Sequence, residues 1–273
     1  MLLGSQLRRL REEPGIRREE AGYRIRSSDS KIGRIELGRV GLRERDLRDL
    51  LDLYGVIDET ERDAIFKLAS EGNTPDWWHR YSDLLPSWFQ TYIGLEEGAE
   101  LIRAFENQFV PALLQTEDYA RAVIRAGFPG DEEGEIERRV ALRMERQRRL
   151  IASGAPRLWV VIDEAALLRP IGDGGVMRGQ IHRLLEMNQE TNVTIQVLPI
   201  EAGHVTEGCA FSLLRFPDRE LPDVAYIRNL SGAVYLDKIE AVGVYKAAFN
   251  HMCVNSLDLH QTSDWLARSL RRG

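Results

Sequence analysis

The period of the apolar residues changes along this chain, and the change separates a part that is helical from a part that contains a sheet. Near the N-terminus Leu3, Leu7 and Leu10 recur at i, i+4 and i+7, with Arg8, Arg9, Arg11 and Glu12 on the other face. That spacing predicts an amphipathic helix, ended by Pro14-Gly15, because proline removes a backbone donor and glycine permits the turn. From Arg157 the pattern differs: Leu158-Trp159-Val160-Val161-Ile162 is a continuous apolar, β-branched run that predicts a buried strand. Residues 193–198 alternate as a half-buried strand, and 176–190 between them place Ile181, Leu184, Leu185 and Asn188 at helical register. Strand, helix, strand over this length predicts a crossover with the two strands parallel. Shorter strands at 210–216, 224–228 and 233–236 read as antiparallel, closed by helices at 238–252 and 256–270. The expected class is α+β: an N-terminal all-α domain, a helical segment, and a C-terminal mixed α/β domain.

Within the N-terminal part, a short segment from Arg17 to Ile25 is followed by Ser27-Ser28-Asp29-Ser30, a cluster of capping residues, and then by a helix to Leu37 with Ile32 and Ile35 inward. Ser28 is the cap candidate, since its hydroxyl can accept from the free amides of the first turn. Two further helices follow, at 44–54, burying Leu47, Leu50, Leu51 and Tyr54, and from Asp58 to about Ser70. Two short helices joined by a tight turn and packed among others form the helix-turn-helix plan, whose second helix enters the DNA major groove. The expected exposed positions on that helix are Asp29, Ser30, Lys31 and Arg34. Lysine and arginine donate to guanine, aspartate accepts from cytosine, and serine does either. Arg17, Arg18 and Arg39 flank it and suit phosphate, which sets register without carrying sequence information.

Charge agrees with that division. The whole chain carries −6, but residues 1–57 hold 13 Lys+Arg against 10 Asp+Glu, a balance of +3, leaving −9 for the remainder. Only one part of the chain is thus suited to meet phosphate. No apolar run approaches the ~18 residues of a membrane span, and the charged N-terminus does not read as a signal peptide, so a cytoplasmic protein without membrane contact is expected. The two cysteines, Cys209 and Cys253, found neither a disulfide framework nor a zinc site. No cofactor is expected.

The stretch LRRLREEPGIRREEAGYRIRSSDSKIGRIELGRVGLRERDLRDLLDLYGV resembles the N-terminal domain of actinobacterial XRE-type, phage-repressor-like regulators. WWHRYSDLLPSWFQTYIGLEEGAELIRAFENQFVPALLQTEDYARAVIRAG, ERRVALRMERQRRL and RLWVVIDEAALLRP resemble the companion C-terminal domain of that family. The resemblance implies a DNA-binding transcriptional regulator that is not an enzyme, acts as a homodimer on a double-stranded operator, and is sometimes antitoxin-like, with a small protein partner encoded nearby. It places the recognition helix at Ser28 to Leu37. The chain departs from the family at Arg26, where a glycine usually occupies the turn, and at Arg43, where a serine usually caps the next helix. Gly22 and Gly33 fall inside the two helices, each at a cost of ~1 kcal/mol against alanine.

The turn-rich Glu71-Gly72-Asn73-Thr74-Pro75 predicts a boundary between a DNA-binding domain at 1–72 and a dimerising, signal- or partner-binding domain at 73–273. Beyond it, Trp77, Trp78, Tyr81, Trp88, Phe89 and Tyr92 put six of the 21 aromatic residues within 16 positions. They suit either a ligand pocket, with Trp77, Trp78, Tyr81 and Trp88 as the candidates, or core packing. Residues 96–152 read as three helices broken at Pro111 and at 127–130. The last carries Ile136, Val140, Met144 and Ile151 on one stripe and six arginines mostly elsewhere, which read as a solvated, salt-bridged face or as contacts to phosphate or a small acidic partner, with Arg139, Arg143 and Arg146 the candidates for the last. Asp163-Glu164 reads either as an acid/base pair at a strand end or as a helix cap. His204, Glu207 and Cys209 share a loop but lack a fourth metal ligand, and Gly172-Asp173-Gly174-Gly175 lacks the spacing of a phosphate-binding loop.

Overall fold

Five amphipathic segments fold in the N-terminal part as the periodicity predicts. They are α1 (Leu2–Glu12), α2 (Arg18–Arg24), α3 (Asp29–Glu36), α4 (Glu44–Tyr54) and α5 (Glu59–Glu71). The computed structural model describes residues 2–36, 41–71, 77–152, 154–203, 209–217 and 221–271, with Leu2, Ser5, Arg34, Ser70 and Glu71 described for their backbone alone. Arg39, His204, Glu207, the end of the expected recognition helix at Leu37 and the turn at 72–75 lie outside the described residues. The chain divides into two compact units, Met1–Leu95 and Glu96–Gly273.

In the first unit Leu7, Leu10, Ala21, Ile25, Ile32, Ile35, Leu47, Leu50, Leu51 and Ile65 share one core, so α1 to α5 bury their apolar stripes against each other. Glycines set how closely α3 is approached: a Cβ on Gly4 would lie 2.5 Å from the Glu36 carbonyl oxygen, and one on Gly22 would lie 2.9 Å from that of Ser27. Gly22, expected as a cost inside α2, is therefore required there, because the chain entering α3 passes against its bare α-carbon. Gly33 has no such neighbour. The same unit continues through a 3-10 turn, Trp77–Tyr81, into α6 (Ser87–Gly98), whose last residues, from Glu96, belong to the second unit.

The second unit is built on a six-stranded sheet of order β3-β2-β1-β4-β5-β6. Its strands are β1 (Leu101–Glu106), β2 (Arg157–Asp163), β3 (Val193–Leu198), β4 (Phe211–Arg215), β5 (Val224–Arg228) and β6 (Ala233–Leu236). β2 and β3 are parallel and β4 to β6 run antiparallel, as the strand patterns predict, while β1, not expected, pairs parallel with β2 and antiparallel with β4. Helices α7 (Glu117–Gly127) and α8 (Glu133–Arg148) connect β1 to β2, and α9 (Glu164–Leu168) and α10 (Gly174–Met187) connect β2 to β3. Right-handed crossovers put both connections on one face. The other face carries Phe105, Val161, Phe211, Leu213 and Ala225 packed with Val242, Phe249 and Met252 of α11 (Ile239–Asn255), while α12 (Leu259–Ser269) packs on β3 and α10.

Two expectations are corrected. Residues 96–152 are not three helices, because β1 lies within them, at the centre of the sheet with partners on both sides. Its charged residues, Arg103 and Glu106, fall three apart and imitate a helical face, which masks the strand. Ile151 does not join the buried stripe of Ile136 and Val140: α8 ends at Arg148, the chain enters a 3-10 turn, and Ile151 is 69% exposed.

Candidate nucleic-acid interface

The helix-turn-helix is built from backbone hydrogen bonds across a tight turn. Ser27 N donates to Gly22 O at 2.7 Å and Arg26 N donates to Tyr23 O at 3.1 Å, closing α2. Arg26 has φ 53°, the one non-glycine residue with positive φ among the described residues. A side chain there costs about 1 kcal/mol or more, which glycine avoids. The cap expected at Ser28 is present: its Oγ accepts from Lys31 N at 3.2 Å. Asp29 sits in the first turn of α3, where a carboxylate favours the helix dipole.

Ser28, Asp29 and Ser30 are exposed at the N-terminal end of α3, the end that reaches base edges in this motif. Lys31, expected exposed, is half-buried, since its neighbour Ile32 draws that side of the helix into the core. Its ammonium has no ion-pair partner among the described residues. Arg34 lies on α3, with its side chain outside the described residues. Arg17 is exposed at the position preceding α2 and makes no capping bond. Arg18 is not a wholly free phosphate ligand, because its Nε donates to Glu36 Oε2 at 3.1 Å.

That carboxylate anchors α3. Arg11 of α1 meets Glu36 through Nε at 2.5 Å and Nη2 at 3.1 Å, and its Nη1 donates to Ile16 O at 2.8 Å. The two side chains are only 6% and 2% exposed, so removing either would strand a buried charge. Hydrogen bonding to Glu36 raises the Arg11 pKa, keeping the pair ionic. Neither partner was singled out from sequence, where Arg11 and Glu36 read as ordinary surface charges 25 residues apart.

The other candidates are packed against neighbours or hydrogen-bonded within the chain. Trp78 and Tyr81 are buried, Trp77 and Trp88 half-buried, and Phe89 stacks on Tyr92 at 5.8 Å, consistent with packing. Arg146 is corrected from a partner-binding candidate: its Nε and Nη2 hold Glu96 at 2.8 and 2.7 Å in a buried pair. Arg139 pairs with Asp131 at 2.7 Å and covers the Phe128 ring. Arg143 donates to Gln115 Oε1 at 2.6 Å, and burial with Arg146 and Arg228 nearby pushes it down to about 9. Beside it, at the C-terminal end of β1, burial pushes the Glu106 carboxyl up to about 7, with Arg228 and Arg143 opposing the shift. Asp163 caps α9 by accepting from Ala165 N, and Glu164 accepts from Ile200 N and Trp265 Nε1, so both carboxylates are occupied. Asp173 caps α10 through Val176 N, which accounts for the glycine-rich stretch.

Among the described residues no group of three or more His, Cys, Asp or Glu side chains is placed to hold a metal ion, and no helix is long and apolar enough to cross a membrane. Two family models match the chain. One described as a helix-turn-helix domain covers residues 2–65, and one described as a domain of unknown function (DUF5753) covers residues 89–268. Neither a curated protein nor a solved structure matches it.

Proposed function

The chain belongs to the DUF5753 family and carries a helix-turn-helix domain ahead of it, and from that premise we propose that it is a sequence-specific transcriptional regulator of the XRE type. It acts in the cytoplasm as a homodimer, binds a double-stranded operator through residues 1–72, and uses residues 73–273 to receive a ligand or a small protein partner. The observation that carries this reading is the α2–turn–α3 unit, with Ser28, Asp29 and Ser30 exposed at the leading end of a helix anchored by Arg11 and Glu36. In a two-fold dimer the paired helices meet half-sites ~34 Å apart. Lys31→Ala and Arg34→Ala are each expected to weaken binding by ~1–3 kcal/mol relative to random duplex. A mobility-shift assay on an operator selected from random sequences checks this, and wild-type binding by both variants removes the recognition-helix assignment.

A second reading is an antitoxin-like protein whose main task is to hold a small acidic partner encoded nearby. The outer side of α11 supports an interface of either kind, since Ile239 and Val254 are 83% and 84% exposed on a helix that is apolar around much of its circumference. Light scattering of the purified chain separates the two: a dimer that loses mass on Val254→Asp supports self-association, and a monomer supports the partner.

A further inference from the structure

The sheet face beneath α11 holds a cation that no carboxylate among the described residues pairs with directly. Arg103 is the middle of β1 and opposes Trp159 on β2 and Leu213 on β4. Its guanidinium lies 6.0 Å from the rings of both Trp159 and Phe249. Its Nε is buried with no hydrogen-bond partner, and among the described residues the side chain makes no ion pair. Rings attract the cation, but they do not satisfy N–H donors, and an unpaired buried donor is costly.

Arg103 opens on a half-open crevice lined by Leu101, Leu213, Leu214, Arg215, Asp223 and Lys246. Three cations thus surround one carboxylate. Asp223 is already shared, with Lys246 Nζ at 2.7 Å and Arg215 Nη2 at 3.1 Å. From nearby, Arg157 acts on Arg103 and Glu100 on Arg215. Burial and the neighbouring Arg215 lower the Arg103 pKa, with Asp223 only partly opposing them.

We propose that this crevice is a binding site for a small oxyanion, a phosphate or carboxylate group, with Arg103 as its principal ligand and Lys246 and Arg215 at its mouth. A planar guanidinium presents paired N–H donors that match two oxygens of such a group. The enclosed space is about 10 Å³, room for about one water-sized group, so the ligand is a small ion, or the charged end of a larger molecule, seated at the open mouth. The role as an effector site rests on the reading of residues 73–273 as a receiving domain, whereas the binding itself does not.

The test is calorimetric titration of the full chain, without DNA, with inorganic phosphate, sulfate and acetate in separate arms against chloride at constant ionic strength. Saturable binding in at least one arm is expected, with phosphate preferred if the ligand is a phosphate and acetate if it is a carboxylate. Arg103→Met should weaken it at least tenfold, and Asp223→Asn, which frees Arg215 and Lys246, should tighten it severalfold. Should Arg103→Met fail to fold, the Asp223→Asn result decides. Absence of saturable binding by the wild type, or equal binding by all three proteins, overturns the site. Operator affinity with and without the bound ion is then measured: an unchanged affinity leaves the site standing and removes the effector role alone.

Discussion

Arg26 stands in a backbone conformation that glycine adopts freely, so Arg26→Gly should slow amide exchange in α2 and α3 of the full chain, by about 1 kcal/mol. The two helical glycines should behave oppositely. Gly33→Ala gains about 1 kcal/mol of helix propensity, whereas Gly22→Ala drives a methyl into the Ser27 carbonyl and costs roughly 1–3 kcal/mol. The same exchange measurement reads both. Sequence spacing showed that these glycines interrupt helices, but the close approach at Gly22 depends on a turn geometry that spacing does not encode. Glu106 faces Arg228 and Tyr226 on β5, Arg143 on α8 and Tyr119 on α7. Its folded pKa, about 7, lies above the ordinary 4.5. Its contribution to stability is therefore full below the ordinary value and lost as pH rises through about 7. Glu106→Gln should be more stable than wild type by roughly 3 kcal/mol at pH 8 and near parity at pH 4. Urea midpoints across that range check it, and a gap that is constant with pH would count against the raised carboxyl.

Between elements, the buried Glu96–Arg146 pair joins the end of α6 to α8. Glu96→Gln leaves Arg146 charged and uncompensated, and should lower the unfolding free energy by about 3 kcal/mol in urea. The elements that sequence made legible are those whose pattern has one meaning. α1 and α4 show an apolar stripe, and β2 is a run too β-branched and too short for a helix; β3 alternates in residue type, yet it is not half-buried as expected, since all of it but Thr194 is buried between helices on both faces. β1 was hidden because Arg103 occupies an inward position, which its burial pattern shows and its residue type denies. The arginines of α8 were legible as charge but not as contacts, since Arg146 reaches Glu96 across 50 residues.

For the whole molecule, the uneven charge makes DNA affinity depend on few phosphates. Arg17→Ala should weaken operator and random duplex alike and reduce the log–log salt slope by about 1 per protomer; titration between low and moderate salt checks this. The fold class, the helix-turn-helix, the parallel β2–β3 crossover and the later antiparallel strands were legible from period and turn residues, while the place of β1, the anchor at Glu36 and the crevice at Arg103 required the fold to bring distant residues together. The place of β1 has a further consequence for how the molecule is made. Its neighbours begin at Arg157 on one side and Phe211 on the other, whereas the core of α1 to α5 closes within residues 7–69. On the ribosome the DNA-reading helices can finish while β1 still waits, bare on both edges, for strands not yet synthesised. Nascent chains stalled before Phe211 should therefore be the ones that chaperones hold and proteases clip, in the second unit and not the first.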